Sequence, residues 1–216
     1  MKLTLERPHF AVFDDFLPKA QLAEVQHHLF NEARLEFINK VEHLSVFSLD
    51  DGHPLAAPVI VADPKGSLMR TGEGSFYPHP IETGIDHVLE AVLGNTAKFA
   101  PWIGTKWRTV TSRAFVYPQG TGLDWHDDGG QYTGAFSFYV HPSWQPQWGG
   151  ELLIALGKGG EFSLPIPNRL VILKGNTPHK IARVSSSAGS NHRMSVSGFF
   201  AKADAETFSD GTLSYL

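Results

Sequence analysis

From Arg108 to Phe200 the chain breaks into short runs of alternating apolar and polar residues, punctuated by Gly, Pro and Asn. No other feature constrains the fold as much, because such runs suit strands and are too short for ordinary helices. Candidate strands fall at 108–117, 123–128, 134–140, 150–156, 161–166, 169–174, 179–184 and 192–200. Upstream, Leu22, Val25, Leu29 and Phe30 share one face of a helix expected over about 18–32. Ile85, Val88, Leu89 and Val92 do the same over 81–93, with Gly94 just past the end. Shorter strands are expected at 9–16 and 59–62. Strands following two helices predict a mainly β, α+β architecture: a cupin-like, double-sheet jelly roll with the helices packed on one sheet. The expectation is one domain over 1–216, with a helical N-terminal layer over about 1–107 and a β core over about 108–200.

A chain of 216 residues can bury a sizeable core without staples. Its net charge of -4 is mild and its basic residues are scattered, so no nucleic-acid or anionic-membrane partner is expected. There is no cysteine, which excludes disulfides, thiolate metal sites and thiol catalysis. Charge and Pro8 interrupt the N-terminus before a signal core forms, and no apolar run is long enough for a membrane span. A soluble, cytoplasmic protein is expected.

Residues 33–80 are the least regular part, with turn signals at Asp50-Asp51-Gly52, Asp63-Pro64-Lys65-Gly66 and Gly72-Glu73-Gly74. A lid or binding loop and a surface insertion are equally good readings. Trp102, Trp107 and the Trp144–Trp148 hairpin are candidates for cleft walls or for core, and core is preferred for Trp107 and Trp148.

The polar residues of the β region carry the chemistry. Strand alternation places His126 and Asp128 on one face and Asp127 on the other. A His-x-Asp triplet is a weak signal alone and needs a third ligand from a later strand. Three histidines follow it. His141, before Pro142, reads as a solvent-facing turn residue, and His192 has the wrong parity relative to Arg193 and Ser195. His179 starts a new strand after the apolar run Leu170–Leu173 and a turn. Two histidines and a carboxylate would suit non-haem Fe(II) with open coordination positions. In the last strand Arg193, Ser195 and Ser197 share a face opposite Met194, Val196 and Phe200. An arginine leading a polar inner face can grip a carboxylate with two hydrogen bonds, or form an internal salt bridge. Arg113, Phe115 and Tyr117 make a matching inward set, with Tyr117 a second hydroxyl donor or a core filler.

Taken in order, Tyr117-Pro118-Gln119-Gly120, His126-x-Asp128, Trp148-Gly149-Gly150-Glu151-Leu152, Asn168-Arg169-Leu170-Val171, His179 and Arg193-x-Ser195 resemble the Fe(II)- and 2-oxoglutarate-dependent dioxygenases. Within these the chain is similar to the prolyl 4-hydroxylase-like branch. The likeness covers about 108–200, together with Asp14-Asp15-Phe16-Leu17-Pro18. It implies a double-stranded β-helix with His126, Asp128 and His179 as iron ligands. It also implies that Arg193 holds the distal carboxylate of 2-oxoglutarate, aided by Tyr117 and Ser195. The hairpin Ser185–Asn191 is longer than in several animal members, and Arg183 is the alternative anchor.

The implied reaction consumes dioxygen, decarboxylates 2-oxoglutarate to succinate, and hydroxylates an unactivated C–H, with ascorbate as reductant. An acid at position 128 leaves no room for halide, so hydroxylation is favoured over halogenation. A prolyl residue in a peptide or protein is the family-typical substrate; a free amino acid or other small metabolite is the alternative. A non-oxygenase cupin-like barrel that binds a metal or ligand, and a zinc hydrolase, are the competing classes.

Overall fold

The computed structural model describes residues 1–38, 52–63 and 76–202. The expected turns at 50–51, 64–66 and 72–74 lie outside them, as does much of the segment proposed as a lid.

In chain order, β1 (Lys2–Glu6) and β2 (Phe10–Asp14) precede α1 (Lys19–Asn31). Four short strands follow: β3 (Glu36–Phe37), β4 (Leu55–Ala56), β5 (Val59–Ala62) and β6 (Phe76–Pro78). Next come α2 (Asp86–Gly94), α3 (Thr96–Ile103), β7 (Thr109–Tyr117), β8 (Leu123–His126) and β9 (Tyr132–Tyr139). The chain continues through β10 (Leu152–Leu156), β11 (Gly159–Ser163), β12 (Leu170–Lys174), β13 (His179–Ile181) and β14 (Arg193–Ala201).

Among the described residues, ten strands form a major sheet whose centre runs β2-β12-β9-β14-β7, and β11-β10-β13-β8 form a minor sheet. This is the jelly-roll, double-stranded β-helix architecture. The major sheet is covered on both faces, which is why its central strands read as nearly continuous apolar runs. In β12, Leu170 and Ile172 face the helices, while Val171 and Leu173 face the minor sheet. Val25 and Leu29 of α1, Val88, Leu89 and Val92 of α2, and Phe99, Trp102 and Ile103 of α3 pack on the outer face. Leu152, Ile154 and Ile181 of the minor sheet close the inner layer.

Several expectations are corrected. Residues 1–107, expected as a helical layer, also supply six strands among the described residues. The helix expected from Ile81 begins at Asp86, because the buried Asp86 carboxylate accepts the Ile81 and Thr83 amides at 3.0–3.1 Å and holds those residues in a turn. A third helix, α3, is not among the expected elements and carries Pro101, a helix breaker, inside it. The burial of Phe99, Trp102 and Ile103 at helical spacing overrides it. Trp102 is core and not a cleft wall: its Nε1 donates to the Arg7 carbonyl at 2.7 Å and its ring meets Phe13 edge-on.

Candidate active site

β8 is an edge strand of the minor sheet and pairs with β13 through His126↔His179 and Ile181↔Leu123. Two residues, Asp124 and Trp125, therefore oppose the single Lys180, a bulge immediately before His126. Lys180 Nζ reaches Asp124 at 3.1 Å, so the bulge is tied down on the outside, where Trp125 is half exposed. The strand ends at His126, not at 128 as expected. Asp128 comes to the site through a turn in which Asp127 accepts the Gly129 amide at 3.0 Å, and Gly129 takes the positive φ of 80° that glycine tolerates.

The result is a convergence of His126, Asp128 and His179, with one donor atom from each within 4.8 Å of the others. The Asp128 Oδ1 lies 3.8 Å from His126 Nε2 and 3.7 Å from His179 Nε2. Those gaps are too long for hydrogen bonds. They match donors about 2.0–2.2 Å from one shared ion, which stand about 3–4 Å apart. Each histidine donates its other nitrogen to a backbone carbonyl: His126 Nδ1 to Asp124 at 2.6 Å and His179 Nδ1 to Thr177 at 2.8 Å. That fixes the tautomer and leaves Nε2 as a lone-pair donor. Burial lowers the pKa of both imidazoles, helped at His126 by the neighbouring His179. Burial also pushes the Asp128 carboxyl up to about 6 against the attraction of His126. The donor set fits Fe(II): two neutral imidazoles and one acid, three ligands that leave coordination positions for exchangeable ones.

Arg193 opens β14 opposite Tyr117 and is 0 % exposed. Its Nε donates to Gly150 C=O at 2.9 Å and its Nη1 to Ser195 Oγ at 3.4 Å. Its Nη2 is buried with no hydrogen-bond partner. The guanidinium lies 5.0 Å from the ring centres of both Tyr117 and Tyr139. Among the described residues no carboxylate pairs with it. A buried cation without a counter-ion costs several kcal/mol, so this pocket is shaped for an anion from outside the chain. Burial pushes the Tyr117 phenol up to about 12, with Arg193 opposing, and raises Tyr139 as well, so both hydroxyls remain available as donors. Ser195 is buried and its Oγ also receives Ser197 at 3.3 Å, which in turn meets Ser137 at 2.9 Å.

Tyr139 was not singled out from sequence. Its hydroxyl is buried without a hydrogen-bond partner beside Arg193. The signal was present: Ser137 and Tyr139 share a strand face, as Ser195 and Ser197 do in the paired strand. His141, expected in solvent, is 1 % exposed and hydrogen-bonded on both ring nitrogens. His192 and the alternative anchor Arg183 are both exposed, so Arg183 does not line the inner layer. Trp144 and Trp148 meet each other edge to face and pack against the inner layer rather than opening a cleft.

A double-stranded β-helix that gathers two imidazoles and an acid beside its minor sheet, with a buried arginine in its major sheet, offers a donor set suited to a non-haem iron centre. Residues 112–201 match the family model described as the 2OG-Fe(II) oxygenase superfamily. Over that stretch the chain is similar to that superfamily, and with the site geometry this supports a 2-oxoglutarate-dependent dioxygenase using Fe(II). No curated protein sequence matches it. Among solved structures it is similar to a Pseudomonas putida prolyl-4-hydroxylase, with 19% identity and a TM-score of 0.63 over 89% of this chain and 93% of that one. It is also similar to a Trichoplax adhaerens prolyl hydroxylase solved with a hypoxia inducible factor oxygen degradation domain peptide fragment. The identity there is 16% and the TM-score 0.66, over 90% and 84% of the two chains. A 2OG-Fe(II) oxygenase family oxidoreductase from Burkholderia pseudomallei aligns at 15% identity and a TM-score of 0.60, over 91% and 86%.

Proposed function

We propose that this dioxygenase hydroxylates a prolyl residue within a peptide or protein, with His126, Asp128 and His179 holding Fe(II) and Arg193 anchoring 2-oxoglutarate. The observation that carries the residue assignment is the unpartnered, fully buried Arg193 Nη2 next to the unpartnered Tyr139 hydroxyl. A carboxylate in that pocket would receive Arg193 Nη2 and the Tyr139 hydroxyl, with Tyr117 beside it. The guanidinium is held for the task from its other edge by Gly150 C=O and Ser195 Oγ. Bound iron with its cosubstrate supplies oxidative decarboxylation to succinate and oxygen insertion into a C–H bond. The protein's part is to hold two imidazoles in one tautomer, keep the Asp128 carboxylate dry, and fix the direction from which the cosubstrate approaches. The prolyl peptide reading is supported by the two prolyl hydroxylase neighbours, one solved with a peptide fragment.

The test is succinate release from 2-oxoglutarate with Fe(II), ascorbate and air, with proline-containing peptides and free amino acids compared side by side. The expected result is stimulation by a prolyl peptide together with a mass gain of one oxygen on proline. Turnover stimulated only by a free amino acid would replace the peptide reading with the small-metabolite one. Turnover without dioxygen would end the oxygenase reading.

A further inference from the structure

His141 lies two residues beyond Tyr139 and is 1 % exposed, yet it belongs to neither the metal triad nor the carboxylate pocket. Its Nε2 meets the Pro165 carbonyl, which requires the proton on that nitrogen, so Nδ1 carries the lone pair and accepts the Met194 amide at 3.2 Å. Burial holds this imidazole neutral by lowering its pKa to about 4.

The location of that bond matters. β9 and β14 keep regular register as far as Ser195↔Tyr139. One residue further, Val140 N–H still donates to Met194 C=O at 3.1 Å. A regular ladder would return the Met194 amide to Val140 C=O. That carbonyl instead receives Gln26 Nε2 from α1 at 2.9 Å, and the Met194 amide goes to His141. An imidazole thus stands in for a ladder carbonyl at the residue next to Arg193.

The same ring reaches the other side of Arg193. Its centroid lies 4.8 Å from that of Trp144, whose Nε1 donates to Gly149 C=O at 2.9 Å. Gly150 C=O then accepts Arg193 Nε. A Cβ on Gly150 would stand 3.0 Å from Arg193 Cδ and 3.3 Å from Trp144 Cζ2, so these three groups are in close contact.

We propose that His141 is a positioning residue for the cosubstrate anchor, fixing Arg193 through the Met194 amide on one side and through Trp144 and the Gly149–Gly150 turn on the other. The proposal rests on the reading of Arg193 as the 2-oxoglutarate anchor. The test is 2-oxoglutarate binding by calorimetry on the full chain with Mn(II), with Mn(II) affinity and Tm measured alongside. His141→Asn places an oxygen where Nδ1 accepts; His141→Gln can reach Pro165 but leaves the Met194 amide without its acceptor. The expected result is at least a fivefold weaker Kd for His141→Gln, near recovery in His141→Asn, and Mn(II) affinity within twofold throughout. Unchanged Kd in both variants would overturn the proposal, as would losses in both that merely follow their Tm. Should His141→Gln not fold, Trp144→Phe removes the indole N–H together with part of the ring that meets His141: a threefold or greater weakening supports the proposal and an unchanged Kd overturns it. Arg193→Met separates the two readings. If it leaves 2-oxoglutarate binding intact, the anchor assignment itself fails; if it abolishes binding while His141→Gln does nothing, only the role of His141 fails.

Discussion

Replacing Arg193 with methionine should change stability and cosubstrate binding by very different amounts, and the size of each follows from the pocket. In the free protein the guanidinium is fully buried, has no acid partner among the described residues, and leaves Nη2 unpaired. Removing such a charge for an apolar side chain of similar length gains about 1–4 kcal/mol. It also orphans Gly150 C=O, costing about 1–3 kcal/mol, and forfeits the two aromatic contacts, about 1 kcal/mol each. At the midpoints of these ranges the losses exceed the gain by only about 1–2 kcal/mol. With about 2–4 °C of Tm per kcal/mol in a domain of this size, the metal-free variant should melt within a few degrees of the parent. Binding has no such compensation. Truncating one partner of a buried, hydrogen-bonded charge pair costs about 2–5 kcal/mol, which is roughly thirtyfold to several thousandfold in Kd. Thermal melts with and without 2-oxoglutarate read both quantities. At a hundredfold excess over its Kd the cosubstrate should stabilise the parent by about 2.7 kcal/mol, and the variant by almost nothing at the same concentration. An Arg193→Met protein that loses more than about 5 kcal/mol on its own and still binds 2-oxoglutarate as the parent does would refute the reasoning. Arg193 would then be a structural cation.

Asp128→Ala should abolish metal binding and succinate formation while leaving the metal-free fold at least as stable at neutral pH, because the acid it removes is buried where its charged form is disfavoured; equilibrium Mn(II) binding and a urea melt check both halves. Tyr139→Phe removes a hydroxyl with no partner in the free protein. It should weaken 2-oxoglutarate three- to tenfold, about 1 kcal/mol, with no loss of Tm. For His141 the folded pKa of about 4 lies below the unfolded value near 6.5. The unfolded chain therefore binds the proton first, and stability present above about pH 6.5 is lost as pH falls towards 4. The loss is on the order of 3 kcal/mol. Urea midpoints at pH 7 and 4.5 should separate more in the parent than in His141→Asn, and equal separations would contradict it.

The site was partly legible because it uses strand periodicity. Arg193, Ser195 and Ser197 share a face by alternation, and β14 sets that face against Tyr117 and Tyr139. Alternation misled at Asp128, which lies past the end of its strand and is delivered by a turn and a bulge. It was silent on His141, where a histidine before proline looks like a turn residue until Pro165 and Met194 close over it.

Residue order and the period of the apolar pattern, both local properties, determined the β-rich class, the two main helix faces apart from Phe30, which is exposed, and the short roster of polar residues suited to metal and carboxylate chemistry. Only tertiary structure decided that His126 and His179 sit opposite each other and that α3 forms despite Pro101. It also decided that Arg193 is buried without an acid while Arg183 faces solvent. The physical reason is that burial and pairing are properties of two or more segments at once, and no single stretch of chain encodes the partner that another stretch will bring to it.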